Sequence, residues 1–280
     1  MLARVFYPLR EFVLLGKHLR VALLVKVILC LAPSIIFAGL AYRFYLEPTL
    51  QLQERRRAVL DRALSFLNKF LWNSSAGAYR ECPLFTAATC AKNYPVQDNY
   101  LGYIFNTEYI AIQTKATEIH QFLVSKNFPD DNRWIVLSLF SDNFTKYPCS
   151  TCTPATPYAD DWYADHVALD GIYDYRAGDI TGARERLNFL VGHLLDPRLG
   201  LFRDNATNGE GFVYYKLSLA TLLASELKNS TYTAQFSERL ASQQNPDGSW
   251  LTGPPRPTGV FPNTESTILN IIALKAAWNL

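Results

Sequence analysis

Residues 236–250, FSERLASQQNPDGSW, decide the fold because they join a helix end, a turn and an aromatic anchor. The apolar residues keep a helical spacing as far as Gln243 and Gln244. The Asn245-Pro246-Asp247-Gly248 sequence then forces a turn, because proline ends a helix and glycine accepts a positive φ angle. Trp250 follows two residues after the glycine, and a new helical pattern begins near residue 263. The predicted unit is a helix, a Gly-x-aromatic turn and a second helix.

The same unit recurs upstream in weaker form. Gly77-Ala78-Tyr79 and Gly200-Leu201-Phe202 repeat the Gly-x-aromatic turn, and residues 130–134 keep the acidic turn and the aromatic residue without the glycine. The turns recur every ~50 to 65 residues, a period typical of helical-hairpin arrays in which each hairpin packs on its neighbours. No alternating strand or hairpin pattern lies between them, so the domain is predicted to be mostly α. The predicted helices cover residues 51–71, 99–124, 135–144, 161–177, 179–195, 212–228, 231–244 and 263–278.

The longest apolar run covers residues 21–42, and about 20 helical residues are enough to span a bilayer. Several basic residues lie on or before its first turns, whereas only Arg43 lies just after it. The positive-inside bias therefore predicts a cytoplasmic segment at 1–20, a transmembrane signal anchor at 21–42, a linker at 43–54 and an extracytoplasmic domain at 55–280. A cleaved signal peptide ending near residues 39–41 and a buried core helix are the two alternatives.

Four Asn-x-Ser/Thr sequons agree with an outside location, since all lie at predicted helix ends or loops where a glycan can be attached. Their asparagines are Asn73, Asn143, Asn205 and Asn229.

The cysteines point to the same compartment. Cys30 lies within the apolar run, and the other four cysteines suggest two disulfides in an oxidising environment. Nearest-neighbour pairing joins Cys82 to Cys90 and Cys149 to Cys152, although four cysteines allow three connectivities. A zinc site or a redox pair is the alternative for these thiols.

The formal net charge of +2 gives no electrostatic reason to expect a nucleic-acid partner. Hydrophobic residues make up 49% of the chain, which is enough for a sizeable core. No cofactor or metal is expected from the residue pattern.

The opening stretch resembles the QW repeat of squalene-hopene cyclases and their relatives, in which a Gln is followed by Gly-x-Trp. Leu240, Gln243, Gly248 and Trp250 match that repeat, and the upstream turns look like degenerate copies. The resemblance implies an α/α-toroid, an inner ring of helices inside an outer ring. It also implies that the Gly-x-aromatic turns join outer to inner helices and that the Gln and Trp tie neighbouring repeats together.

The chain departs from the cyclases in its acids. Class II cyclases carry Asp-x-Asp-Asp as their proton donor, whereas Asp160-Asp161 follows Tyr158-Ala159 and lacks the first acid. Carbohydrate-active enzymes use similar helical barrels, and a fold alone does not choose among these functions.

Three functions remain open. The first is a carbohydrate-active hydrolase or lyase acting on glycans, and the second is a non-catalytic surface module that binds a glycan or a protein. An isoprenoid cyclase-like enzyme is the third. Convergence of two carboxyl groups about 5 to 9.5 Å apart in one cavity would favour the hydrolase.

Acids and aromatic residues near the predicted starts of the inner helices define the candidate site. Asp161 and Asp165 lie four residues apart on one helix face and are the candidate acid and base, with Glu265 as the alternative partner. The alternative role for these acids is to cap the helices, where a negative charge interacts favourably with the helix dipole. The substrate-binding candidates are Asp98, Tyr100, Trp162, His166, Tyr214, Tyr215 and Lys216.

Overall fold

A computed structural model of the protein describes residues 31, 33–34, 37–86, 90–126, 163–204, 213–253 and 261–280. The chain divides into two units, Met1–Arg56 and Arg57–Leu280. In the first unit the described residues from 37 onward are helical, with a π-helical turn at Tyr42–Leu46. Within the described part of the chain, no helix has both the length and the apolar character to cross a membrane. The predicted span at 21–42 lies mostly outside these residues, so the anchor stays a prediction.

The second unit is helical apart from two short antiparallel hairpins. Its first hairpin pairs β1 (Trp72–Asn73) with β2 (Ala78–Tyr79), and its second pairs β3 (Leu195–Asp196) with β4 (Leu201–Phe202). The described α-helices are α1 (Glu47–Phe66), α2 (Val96–Ile104), α3 (Gln113–Ser125), α4 (Ala164–Arg176), α5 (Ile180–Phe189), α6 (Tyr214–Glu226), α7 (Ser230–Ser242) and α8 (Thr264–Trp278). The prediction of a mostly α domain is confirmed.

The helices alternate between buried and amphipathic along the chain. Most of α6 and α8 is buried on every side, whereas α3, α5 and α7 bury only a stripe of apolar residues. A helix that is apolar all round belongs in a core, and one with a single apolar stripe belongs at its surface. The inner helices α4, α6 and α8 pack in that order, and α8 also packs on α2.

The three Gly-x-aromatic turns form as predicted. Each glycine has a positive φ angle, +60° at Gly77, +63° at Gly200 and +93° at Gly248. Glycine adopts this conformation without the steric cost that a Cβ atom brings. Each turn buries its aromatic ring completely, and these rings are Tyr79, Phe202 and Trp250.

The last turn contacts the first helix. A Cβ atom on Gly248 would lie 2.1 Å from the Arg62 carbonyl oxygen of α1, so only glycine fits there. The side chain of Gln244 donates to the Val59 carbonyl oxygen (2.9 Å) and accepts from the Arg62 guanidinium (2.8 Å). The turn after α7 is thereby hydrogen-bonded to α1.

Consecutive repeats are also tied at the starts of the inner helices. The first N–H of α4 donates to Asp204 Oδ1 (2.9 Å), and that of α6 donates to the Thr252 carbonyl oxygen (2.9 Å). The first N–H of α8 donates to the Glu81 carbonyl oxygen (3.2 Å) in the first repeat. Each acceptor lies two residues after the buried aromatic of the next turn, and these bonds satisfy N–H groups that helices leave unpaired.

The predicted long helix at 99–124 is wrong in one respect. The chain forms two helices there, because Ala111 has a φ angle of +52° and reverses the chain between α2 and α3. The Ile112 N–H donates to the Asn106 carbonyl oxygen (2.8 Å) and closes this turn. No glycine or proline marks the reversal in the sequence. The two hairpins were likewise not expected, since each strand has only two residues.

The Cys82–Cys90 disulfide is formed, with a Cα–Cα distance of 5.6 Å. Cys149 and Cys152 lie outside the described residues, as do Asn143 and Asn205. Asn73 donates to the Tyr94 hydroxyl (2.5 Å), and Asn229 caps α7 by accepting from the Tyr232 N–H (3.1 Å). Glycosylation at the four sequons remains a prediction.

Candidate active site

Three of the inner helices place a polar side chain at the same position. Asp165, Tyr215 and Glu265 are the second residues of α4, α6 and α8, and they follow one another at intervals of 50 residues. Each is half-buried and follows a buried residue. Asp98, the third residue of α2, is also half-buried. One end of the inner helices therefore carries three carboxyl groups and a phenol.

Asp165 and Tyr215 are bound directly. The Tyr215 hydroxyl donates to Asp165 Oδ2 at 2.8 Å. Burial raises the pKa of Tyr215 far above its ordinary value, and the Asp165 charge adds to that increase. The second oxygen, Asp165 Oδ1, is buried with no hydrogen-bond partner among the residues that the structure describes. Tyr215 is thus a fixed proton donor that orients one side of the Asp165 carboxyl group.

Glu265 and Asp98 have raised pKa values for related reasons. Burial and then the Asp165 charge raise the pKa of Glu265 to about 6. Burial, followed by the charges of Glu265 and Glu81, raises the pKa of Asp98 to about 8. Glu265 is thus within electrostatic range of both Asp165 and Asp98.

The helix dipole lowers the pKa of an acid at the start of a helix, which opposes the effect of burial. Asp98 and Glu265 lie in the first turns of helices, where the dipole favours a negative charge by about 0.3–1 kcal/mol. That is less than the ~1.4 kcal/mol that corresponds to one pKa unit. Burial and like-charge repulsion therefore prevail, and a capping role alone does not account for these acids.

The two acids differ in protonation near neutral pH. With pKa values of about 8 and about 6, Asp98 retains its proton and Glu265 has lost its own. A pair of titratable groups whose environments separate their pKa values is the usual arrangement for a general acid beside a base. The site can therefore supply a proton and accept one at the same pH.

The other predicted site residues are placed differently. The Tyr214 hydroxyl donates to Gln243 Oε1 (2.8 Å), which ties α6 to the end of α7. Lys216 is buried in an ion pair with Asp204.

The predicted aromatic and histidine residues make ring contacts. His166 is exposed, with its ring centroid 5.1 Å from that of Tyr163, and Tyr100 stacks on Tyr103 with ring centroids 6.3 Å apart. Asp160, Asp161 and Trp162 lie outside the described residues, so the pairing of Asp161 with Asp165 stays a prediction.

Two features of the site have no strong sequence signal. Asp98 was expected to bind substrate, and its raised pKa depends on burial and on distant acids that the sequence does not bring together. Asp204 was not singled out. Its position two residues after Phe202 matches that of Glu81 after Tyr79, and this repeat is the signal that could have identified it.

An open depression lies beside the start of α2. Its volume is about 490 Å³, and its wall includes Pro95, the residue that precedes α2. Besides Pro95, its lining combines aromatic and polar side chains, namely Glu81, Lys92, Asn93, Tyr94, Phe122 and Lys126. Among the ranges that the structure describes, no three His, Cys, Asp or Glu side chains are arranged to hold a metal ion.

The fold and site define an all-α protein of helical hairpins with clustered carboxyl groups. No protein-family model and no curated protein matches the chain. A solved structure that it resembles is an inactive variant of an α-1,6-mannanase of glycoside hydrolase family 76 from Salegentibacter sp. HEL1_6, in complex with α-1,6-mannotriose. The identity is 12% and the TM-score 0.41, over 80% of this chain and 98% of that one. A likeness at this level assigns no function.

Proposed function

We propose that the protein is a glycoside hydrolase built on an α/α-toroid, with Asp98 as the general acid. Glu265 and Asp165 are the carboxylates that assist the attack at the sugar. The observation that carries the proposal is the set of acids at the starts of α2, α4 and α8, where Tyr215 donates to Asp165 and burial raises the pKa values of Asp98 and Glu265.

Glycoside hydrolysis needs two carboxyl groups in different states. A protonated carboxyl group gives its proton to the leaving oxygen, while a carboxylate either activates water or attacks the sugar directly. Asp98 meets the first requirement near neutral pH, and Glu265 meets the second. Tyr215 occupies only Oδ2 of Asp165, and Oδ1 is a buried acceptor without a hydrogen-bond partner among the described residues.

The state of Tyr215 argues against this residue as the base of a lyase. A lyase must remove a proton from carbon, and a phenol can do so only as a phenolate. Burial and the Asp165 charge keep Tyr215 protonated by raising its pKa. Tyr215 is thus suited to orient Asp165 and poorly suited to act as a base.

The depression beside α2 provides a place for a sugar chain. Tyr94 and Phe122 offer ring faces with centroids 6.3 Å apart, and asparagine and lysine side chains lie around them. Aromatic faces with a few polar groups are typical of ligand pockets. We infer that a saccharide extends from the carboxyl cluster along this depression.

We also propose that the domain is extracytoplasmic and held by a single-span anchor at residues 21–42. The Cys82–Cys90 disulfide supports the location, because disulfides persist in oxidising compartments. Protease added to intact cells should then remove the domain from about residue 45 onward. Complete protection of the domain would contradict this topology.

The hydrolase proposal is tested by release of reducing ends from a panel of α- and β-linked oligosaccharides across pH 4–9. We expect activity between the Glu265 and Asp98 pKa values, and loss of activity in Asp98→Asn and Glu265→Gln. Glu226→Gln, which changes an acid at the other end of α6, is the matched control. Saccharide binding without any hydrolysis would instead indicate a non-catalytic glycan-binding module.

A further inference from the structure

Asp204 and Lys216 form a buried ion pair beside the candidate site. Their exposed fractions are 4% and 3%. Lys216 Nζ donates to Asp204 Oδ2, and the first N–H of α4 donates to Asp204 Oδ1 (2.9 Å). Buried ion pairs are often no more stabilising than apolar residues of similar volume, because both charges lose their hydration. Stability alone is therefore a weak reason for this pair.

The pair flanks the Tyr215–Asp165 hydrogen bond on both sides. Asp204 binds the backbone N–H of Ala164, the residue before Asp165. Lys216 is the residue after Tyr215 on α6. One ion pair thus joins the two backbone positions that present the phenol and the carboxylate to each other. The first N–H groups of α6 and α8 use backbone carbonyl oxygens instead, so the charged link distinguishes this junction.

We propose that Asp204 and Lys216 are positioning residues that hold Asp165 against Tyr215 and toward Glu265. The pair fixes the start of α4 relative to the start of α6, and this fixes where the Asp165 charge lies. The inference rests on the proposed function, because it assigns a role within that site. It concerns the position of a carboxyl group, however, and can be measured without any substrate.

The Glu265 carboxyl group reports the position of Asp165. Burial is the main cause of its raised pKa, and the Asp165 charge is the second cause. If Asp165 moves away, the pKa of Glu265 falls from about 6 toward the ordinary glutamate value. The titration can be followed by NMR of protein with ¹³C-labelled glutamate side chains, with the Glu265 signal assigned by its absence in Glu265→Gln.

The main comparison is between two double variants. Asp204→Asn with Lys216→Met removes the buried pair without changing the net charge, and we expect at least half of the pKa decrease that Asp165→Asn produces. Arg176→Met with Glu226→Gln removes a pair that joins the far ends of the same two helices, at 2.7 Å. This control should leave the Glu265 pKa at about 6. An unchanged Glu265 pKa in the first variant, with a native circular dichroism spectrum, overturns the inference.

The single variant Lys216→Met serves if the double variant does not fold. Loss of the cation by itself can only raise the pKa of a nearby carboxyl group, because a favourable charge is removed. Displacement of Asp165 has the opposite effect on Glu265. A decrease in the Glu265 pKa supports positioning, whereas an increase or no change overturns it.

Hydrolysis provides a second readout. With an active saccharide, the Asp204 and Lys216 variants should lower kcat by about tenfold or more, because small displacements at a reacting centre are costly. KM should change less than kcat. If no saccharide is hydrolysed, the proposed function fails, and the Glu265 titration still decides the positioning role.

Discussion

The two ends of the inner helices use charge in opposite ways. At the C-terminal end, Arg176 of α4 pairs with Glu226 of α6 at 2.7 Å, and Lys275 of α8 donates to the Tyr109 carbonyl oxygen at 2.6 Å. Cations near helix C-termini complement the dipole. At the N-terminal end, Asp98 and Glu265 are half-buried acids whose pKa values are raised.

This difference assigns a stabilising role to the charges at one end of the helices and a chemical role to the acids at the other end. Paired charges at the C-terminal end hold neighbouring helices together. Acids kept close together at the N-terminal end carry a cost, since burial and mutual repulsion oppose their ionisation. Strongly perturbed acids in one cluster are typical of functional sites. Four experiments test the contrast between the two ends.

Asp98→Asn should have the largest effect. If Asp98 is the general acid, its loss should reduce turnover by about 10²- to 10⁴-fold, because proton transfer to the leaving group is lost. Stability should not fall, since the amide needs no ionisation. The assay is release of reducing ends, with the melting temperature measured in parallel. Equal losses from Asp98→Asn and Glu226→Gln would remove the functional distinction between the two ends.

Trp250→Ala should have the next largest effect, on stability. The ring is fully buried, and its Nε1 donates to the Leu240 carbonyl oxygen (2.8 Å). Removal of a buried tryptophan side chain costs about 3–5 kcal/mol. Trp250→Phe retains a ring and loses the hydrogen bond, so it should cost less. Denaturant unfolding measures both, and an unchanged midpoint for Trp250→Ala would contradict the role of this turn in supporting the site.

The pH dependence of the unfolding free energy should reveal the cost of ionising Asp98 in the folded protein. The unfolded chain releases the Asp98 proton near pH 3.8, whereas the folded protein holds it to about pH 8. The contribution of Asp98 is thus fully present below pH 3.8 and is lost as the pH rises to about 8. The slope is at most about 1.4 kcal/mol per pH unit.

Unfolding free energies at pH 4, 6 and 8 should therefore fall less steeply in Asp98→Asn than in the unchanged protein. Asp61→Asn, which changes an exposed acid on α1, is the control and should keep the original slope. Parallel curves for all three proteins would show that Asp98 ionises as it does in the unfolded chain.

The double variant Arg176→Met with Glu226→Gln should have the smallest effect. The two side chains are 30% and 17% exposed, and partly exposed pairs contribute about 0.2–1 kcal/mol. We expect a stability change within that range and unchanged turnover. A large loss of turnover would mean that the C-terminal end also controls the site.

The helices and turns were largely predictable because their signals are local. Gly248 and Trp250 identify a turn and its anchor from neighbouring residues alone, and the weaker copies at Gly77 and Gly200 form in the same way. The reversal at Ala111 was missed because this residue has a positive φ angle and no glycine in the sequence indicates a turn there. Asp165 and Glu265 do lie at the starts of helices, as their sequence positions indicated, and their role in a site stays a prediction.

The sequence by itself determined the helical repeats, their apolar faces and the buried aromatic turns, because each depends on residues close together in the chain. It favoured the Cys82–Cys90 pairing among three connectivities, and the structure decided it. Tertiary structure alone decided which acids interact and what they can do. Asp98 and Glu265 are far apart in sequence, and the raised pKa of each depends on burial and on charges from other helices. Likewise, Lys216 became part of a buried pair because folding placed Asp204 beside it. Burial and long-range electrostatics exist only once the helices have packed.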